Sequence, residues 1–265
     1  MLFSGGTDST CAAALLAEEF DEIHLLTFYE RGTRNSHIPT ANKILLEKKF
    51  PHISFIQKVL STDALVERIS YYNYWGTIRR HGFFVLATPG FSSLSWHTTM
   101  IAYCQKHAIF VVADGLTREL LHFPGHMDKV IALFREQYSN FGIEYRNPVR
   151  DWEVPPDQQV LDRLIVDRHG FFVEPDGTAR VRKKTTGEYL YAAGIFPSPN
   201  IKGSQLDQVT QHDCYPFVLY NVFAFWMYLP FHSIEEFENR IEKIMREKTN
   251  LCTAWLRSNQ VRLTA

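Results

Sequence analysis

Residues 1–20 read MLFSGGTDSTCAAALLAEEF, and the reading of Ser4 to Thr10 decides the fold. Three apolar residues stand before that run and an Ala/Leu-rich stretch follows, the pattern of a strand turning into a helix. Gly5 and Gly6 give the backbone freedom for a tight turn, and Ser4, Thr7, Ser9 and Thr10 add four hydroxyls. One reading is a bare turn. The other is an anion cradle, because uncovered glycine N–H groups, hydroxyls and the positive end of a helix dipole converge there. Asp8 suits the cradle either as a helix cap or as the partner of a Mg²⁺ that neutralises phosphate oxygens. The Walker pattern G-x-x-x-x-G-K-[ST] is absent, which excludes γ-phosphate transfer of that kind.

Outward from this turn, strand-like and helix-like stretches alternate. Asp8 to Phe20 reads as a helix, "EIHLLTFYE" (Glu22–Glu30) as a strand buried on both faces, and "PTANKILLEKKF" as a helix opened by proline. "ISFIQKVL" (Ile53–Leu60) reads as a third strand, followed by a helix from Thr62 to Arg80 whose end gathers Tyr71, Tyr72, Tyr74 and Trp75. A helix over Trp96–His107 leads into "IFVVAD" (Ile109–Asp114), a fourth strand; "MDKVIALFREQY" (Met127–Tyr138) is helical and "IEYRNPV" (Ile143–Val149) a fifth strand. Such alternation predicts an α/β fold with a doubly wound parallel five-stranded sheet, with ligands at the carboxyl ends of the strands. Met1–Phe3 is short for a central strand, so residues upstream are expected to be missing. After Pro155-Pro156 the pattern changes to a helix ending at Gly170, a hairpin around "EPDG", an aromatic helix and a charged helix over Ser233–Lys248. The predicted division is 1–150 for the domain that carries the loop and 151–265 for an α-rich C-terminal extension serving substrate or partner.

Lys and Arg number 28 against 29 Asp and Glu, a net charge of −1, so no global basic field points to nucleic acid. The basic run Arg180, Arg182, Lys183, Lys184 reads as a solvated hairpin face or as a contact for nucleic-acid phosphate or a protein partner. "FVLYNVFAFWMYLPF" (Phe217–Phe231) is too short to cross a bilayer and reads as a buried helix or a partner-facing surface. Cys11, Cys104, Cys214 and Cys252 form no CxxC pair, which argues against a zinc knuckle or a disulfide framework and for a reduced cytoplasmic setting.

Ser4-Gly5-Gly6-Thr7-Asp8-Ser9 matches S-G-G-x-D-S, the signature of the PP-loop ATP pyrophosphatases. Within that superfamily the chain most resembles the 7-cyano-7-deazaguanine synthase branch of queuosine biosynthesis. The resemblance rests on "LFSGGTDST", "IHLLTFYERGTRNSHIPTANKI", "TPGFSSLSWHTTMIAYCQKHAIFVVADG" and "HFPGHMDKVIALF", in that order over about residues 1–150. Three features depart from the family. Phe91-Ser92-Ser93 stands where Arg-Asn is usual, Pro124-Gly125 where Pro-Asp is usual, and the C-terminal zinc-binding cysteines are missing. The departures touch substrate and metal positions and leave the loop alone.

The resemblance implies an adenine nucleotide alpha hydrolase-like sheet in the order 3-2-1-4-5, with ATP and Mg²⁺ at the loop. It implies nucleotide contacts from Ser4, Gly5, Gly6, Thr7, Asp8, Ser9 and Thr10, with Asp8 and Ser9 catalytic. Thr27 and Phe28 fall where the adenine lies, and Asp114 and Gly115 end the fourth strand beside the same crevice. Glu119 is a candidate to join Asp8 on the metal, and Arg118, His122 or His126 to balance charge at phosphorus. The expected reaction is adenylation of a carboxylate or amide oxygen with release of pyrophosphate. Its substrate is deazapurine-like, free or carried on a macromolecule, and a diverged member in an antiviral defence system fits the altered motifs. Two alternatives stay open: a tRNA sulfurtransferase, for which Cys11 in the first helical turn is the candidate thiolate, and a non-catalytic ATP-binding subunit.

Overall fold

A computed structural model describes residues 1–30, 40–118, 123–153, 185–202, 204, 206 and 216–263. Two parallel two-stranded ladders form its sheet structure: β1 (Glu22–Tyr29) with β2 (Ser54–Ser61), and β3 (Val111–Ala113) with β4 (Glu144–Arg146). Met1–Phe3 lies between them. Leu26 N donates to Met1 O (3.0 Å) and Phe3 N to Leu26 O (2.8 Å) on one side, while Leu2 N donates to Ala113 O (2.9 Å) on the other. The expected five strands are thus met by four strands in two parallel pairs and one isolated bridge, Leu2 to Leu26.

Two hydrophobic cores show how the sheet is covered. Leu25 belongs to one and Leu26 to the other; Ala113 and Val112 divide the same way. Adjacent strand residues point to opposite faces, so the cores lie on the two sides of the sheet. One side holds α1 (Thr7–Leu16), whose Cys11, Ala12, Ala13 and Ala14 are fully buried, and α2 (Thr40–Lys49). α7 (Thr186–Ala192) packs on α1 in that same core. Small side chains on α1 let it lie close against the strands. The other side holds α3 (Asp63–Tyr71), α5 (Thr88–His107), α6 (Asp128–Ser139), the segment after α8 (Pro216–Asn221) and the long α9 (Ile234–Leu263).

Several boundaries differ from the sequence reading. The helix expected over 62–80 is broken: Asn73 takes a left-handed backbone (φ 51°), and α4 (Tyr74–His81) starts beyond it. Asparagine tolerates that conformation better than most residues. α5 begins eight residues before the expected Trp96, because Pro89 stands in its first turn, where a missing N–H costs nothing. The aromatic segment continues from α8 into a π-helical turn, Val222–Tyr228. The expected hairpin, the helix ending at Gly170 and the basic run 180–184 lie outside the described residues. Among the described residues no helix is long and apolar enough to cross a membrane.

Candidate functional site

The Ser4–Ser9 loop closes on itself before it can meet anything else. Gly5 takes φ 79°, and Gly6 ends the turn in extended geometry (φ −72°, ψ 172°) at the start of α1. Gly6 N donates to Ser4 Oγ (3.3 Å), Ser9 Oγ to Gly6 O (3.1 Å) and Thr10 Oγ1 to Gly6 O (2.8 Å), with Ser4 Oγ and Ser9 Oγ 3.2 Å apart. Thr10 is fully buried, so its hydroxyl serves the turn. The first-turn N–H groups of Thr7, Asp8 and Ser9 have no acceptor within the helix.

Two residues brace this loop, and one of them the sequence reading had not singled out. Asn42 of α2 is completely buried and donates from Nδ2 to Gly5 O (2.5 Å), holding the left-handed turn in place. Its Oδ1 is buried with no hydrogen-bond donor. A buried orphan acceptor carries a cost, which the bond to Gly5 O offsets. "PTANKI" offered helical spacing but no signal for this role. Gly115 is the other brace. A Cβ there would come within 2.4 Å of Ser9 N and 2.5 Å of Ser9 Cα, so β3's end sits directly on the first turn of α1.

Asp8 is turned toward the C-terminal part of the chain. Thr186 Oγ1 donates to Asp8 Oδ1 (2.5 Å) from the start of α7, and burial raises the Asp8 carboxyl above its usual range against that hydrogen bond. α7 is fixed there by a capping box, with Thr185 Oγ1 accepting from Glu188 N (3.2 Å) and Glu188 Oε2 from Thr185 N (2.9 Å). Gly187 lies against Pro199 O, where a Cβ would be at 2.3 Å. The Asp8 side chain is no helix cap: Gly6 holds the cap position and has no side chain to cap with.

At the neighbouring strand ends, Thr27 Oγ1 donates to Phe3 O (2.7 Å) and Phe28 packs on the core. Asp114 is buried and heavily bonded: it accepts from Tyr145 Oη, from Asn147 Nδ2 (2.9 Å) and from Leu116 N (3.1 Å). Burial raises its carboxyl, and those bonds oppose the shift. Arg150 donates to Thr117 O, His126 O and Asp128 Oδ1, tying the segment after β3 to α6. Burial lowers His126 to about 4, which makes it a neutral imidazole. Arg118 pairs with Asp151 at 2.9 Å. Glu119 and His122 lie outside the described residues.

The two Pro-Gly segments come together as well. A Cβ on Gly90 would strike Pro124 Cβ at 2.6 Å, and one on Gly125 would strike Ser93 Oγ at 2.2 Å. Ser92 Oγ (2.8 Å) and Trp96 Nε1 (2.6 Å) both donate to the buried Glu30 at the carboxyl end of β1. Burial raises the Glu30 carboxyl above its usual range, and the bonds from Ser92 and Trp96 oppose that shift. In the sequence Glu30 stands only as the last residue of a predicted strand; its signal is the pairing with Ser92, which sequence spacing does not show.

Cys11, Cys104 and Cys252 are buried free thiols. Burial pushes Cys11 well up, Cys104 to about 11 and Cys252 to about 12. The helix dipole at Cys11 is outweighed by its apolar surroundings, so no thiolate is favoured at the loop. Among the described residues no three His, Cys, Asp or Glu side chains gather as a metal cluster.

No curated protein and no solved structure matches the chain. Residues 1–69, which run from Met1 through the loop, α1, β1, α2 and β2 into α3, match the family model of Queuosine biosynthesis protein QueC.

Proposed function

We propose that the chain is a diverged relative of the 7-cyano-7-deazaguanine synthases that binds ATP and Mg²⁺ at Ser4–Ser9 and adenylates a substrate carboxylate or amide oxygen. The match of residues 1–69 supports an ATP-utilising enzyme at the level of the family. The observation that carries the reading is the close approach of Gly115 to the Ser9 backbone: it brings the end of β3 against the first turn of α1, and helix N-termini suit anions. In this reading Met1–Phe3 is the central strand of a 3-2-1-4-5 sheet, 1–150 is the nucleotide domain, and the remainder serves substrate or partner.

The donor set fits a pyrophosphate. In this reading the first-turn N–H groups of Thr7 and Asp8 and the exposed Ser4 hydroxyl face the phosphates, while buried Gly5 and Ser9 shape the turn, Ser9 Oγ being given to Gly6 O. Thr27 and Phe28 border the adenine side, and Asp114 positions Gly115 through its bonds to Tyr145, Asn147 and Leu116 N. Bound ATP supplies an electrophilic α-phosphorus and a pyrophosphate leaving group. Asp8 would hold Mg²⁺, with Glu119 as a second candidate; the Thr186 hydroxyl engages Oδ1 alone. Glu30, at the carboxyl end of β1, is our candidate to read a deazapurine-like ring, free or carried on a macromolecule.

One observation favours a second reading, a nucleotide-binding subunit without turnover: Asp8 is buried and already occupied by Thr186. Pyrophosphate release separates the two. Purified protein with ATP, Mg²⁺ and candidate carboxylates should release pyrophosphate; a melting rise with ATP but no release supports the second reading, and neither response sinks both. Buried, protonated Cys11, Cys104 and Cys252 give a sulfurtransferase no support.

A further inference from the structure

On the side of the sheet away from α1, α4 and α9 enclose a cleft of about 370 Å³ lined by Arg80, His81, Glu236, Asn239, Arg240 and Lys243. The α9 residues fall at i, i+3, i+4 and i+7, one face of a helix, and Glu247 continues that face. Glu247 fixes one wall: its Oε1 accepts from Arg80 Nη2 (2.5 Å), its Oε2 from Arg80 Nε (3.2 Å), and the same Oε2 is 3.0 Å from His81 Nε2. Arg80 has five N–H donors, and this pairing leaves others turned outward. Glu236, toward the start of the same helix face, is already engaged by Tyr228 Oη (3.0 Å) and His232 Nδ1 (3.1 Å), and Arg240 meets it at 3.7 Å. Lys243 has no carboxylate partner among the described residues. Asn239 Oδ1 accepts from Lys129 Nζ (2.6 Å), which leaves its Nδ2 to donate. The cleft therefore offers donors and positive charge to an anion.

The other end of α4 is built differently. Tyr71, Tyr72, Tyr74 and Trp75 are all exposed, Trp75 at 79%. Three of the rings sit together, with centroids 6.1 Å apart for Tyr71 and Tyr74 and 5.8 Å for Tyr74 and Trp75, while Tyr72 faces the Arg68 guanidinium. The corner that displays them is specified: Asn73 is left-handed, and a Cβ on Gly76 would fall 2.4 Å from Asn73 Oδ1. Trp75 and Arg79 are four residues apart and share a helix face, about 6 Å along the axis. Within one short helix, rings stand at the start and cations at the end.

We propose that this surface binds single-stranded nucleic acid, with bases stacking on Trp75 and its neighbouring tyrosines and phosphates running toward Arg79, Arg80, Arg240 and Lys243. Stacking platforms beside a cationic groove are how sequence-tolerant single-strand binding is achieved. A phosphorylated protein would use the cleft but would leave four exposed rings without a role, and a net charge of −1 makes the patch local. The site is separate from the Ser4–Ser9 loop, so its test needs no ATP.

Fluorescence anisotropy with a labelled single-stranded 20-mer, free of nucleotide, measures it directly. Affinity should fall steeply with salt and exceed that for the duplex of the same sequence. Arg240→Gln with Lys243→Gln should flatten the log–log salt slope by about 1.4, at about 0.7 per phosphate contact. Trp75→Ala should weaken binding by about tenfold, within the range for losing one stacked base. All three side chains lie outside the core, and an unchanged melting temperature checks the variants. No binding at low salt overturns the proposal. So does a Trp75→Ala variant that binds as the parent does, since charge alone would then be holding the strand.

Discussion

Gly115 and Gly6 look alike in the sequence, and the structure separates them. A Cβ on Gly115 would lie 2.4 Å from Ser9 N and 2.6 Å from Asp8 C, all backbone, whereas one on Gly6 would meet only Ser4 Oγ at an ordinary 3.5 Å. Gly115→Ala must therefore push the first turn of α1 away by about 1 Å, the shortfall from a normal 3.4 Å contact. Overpacking of this kind costs about 1–3 kcal/mol, and for a chain of this size about 2–4 °C of melting temperature per kcal/mol. A loss of about 2–12 °C is expected for Gly115→Ala by thermal melting without ligand, and about none for Gly6→Ala. A displacement of about 1 Å in a catalytic constellation can cost about a hundredfold in rate, so the ATP-induced rise in melting temperature and the pyrophosphate release should fall with it. Gly115→Ala melting with the parent would refute the packing argument. Gly6→Ala melting as low as Gly115→Ala would refute the distinction.

Asp8→Asn keeps an acceptor for Thr186 and removes a buried charge, so it should melt at or above the parent at neutral pH while losing Mg²⁺-dependent pyrophosphate release by about a hundredfold or more, the scale of deleting a main electrostatic stabiliser. Because burial raises the folded pKa of Asp8 above 3.8, the parent loses stability as pH climbs through that folded value; the melting gap between variant and parent should widen from pH 4 to 7, and a constant gap would refute the assignment. Lys248 is buried over the face of Phe91 (5.8 Å), its Nζ 3.4 Å from Thr77 Oγ1, and burial lowers its pKa. Lys248→Met should therefore stabilise, most at neutral pH and progressively less toward 10.5, where the unfolded lysine also loses its proton; melts across that range check the sign. An aromatic disulfide reagent at pH 8 should titrate at most one of the four cysteines in native protein and all four after denaturation, since Cys11, Cys104 and Cys252 are buried; rapid labelling of a second thiol would reopen sulfur chemistry.

What the sequence carried well were features set by local rules. The loop, the start of α1, both long strands and α6 follow from glycine placement and hydrophobic period. Helix boundaries at Asn73 and Thr88 were missed because a left-handed asparagine and a first-turn proline reverse the usual meaning of residues that break helices. The site was less legible wherever a role depends on partners distant in the chain. Asn42 bonds Gly5 across 37 positions and Thr186 meets Asp8 across 178. Asp114 reads as a strand-end acid facing a ligand, and its two oxygens turn out to be engaged by Tyr145, Asn147 and Leu116 N. No periodicity encodes such pairings.

The Asp8–Thr186 contact ties the two halves of the chain together at the position where the proposed chemistry would occur. A Mg²⁺ at Asp8 needs an ionised carboxylate, and burial holds that carboxyl toward its protonated form. The opposing hydrogen bond comes from α7, which is locked by its own capping box and by the close approach of Gly187 to Pro199 O. Thr186 can leave Asp8 only by a change of its rotamer or by a shift of α7 as a unit. The first needs little; the second would move Leu190, which is fully buried in the core beside α1. Thr186→Val keeps the shape and removes the donor, leaving Asp8 buried without it. If Thr186 only fills space, this change leaves nucleotide affinity unaltered. If Asp8 holds the metal, Thr186→Val should raise the Mg²⁺ concentration needed for half-maximal ATP-induced stabilisation, because the lost bond no longer opposes protonation, and the melting temperature without ligand falls because the carboxyl has lost its partner. A fall in stability with no change in Mg²⁺ dependence would make Thr186 a structural donor alone.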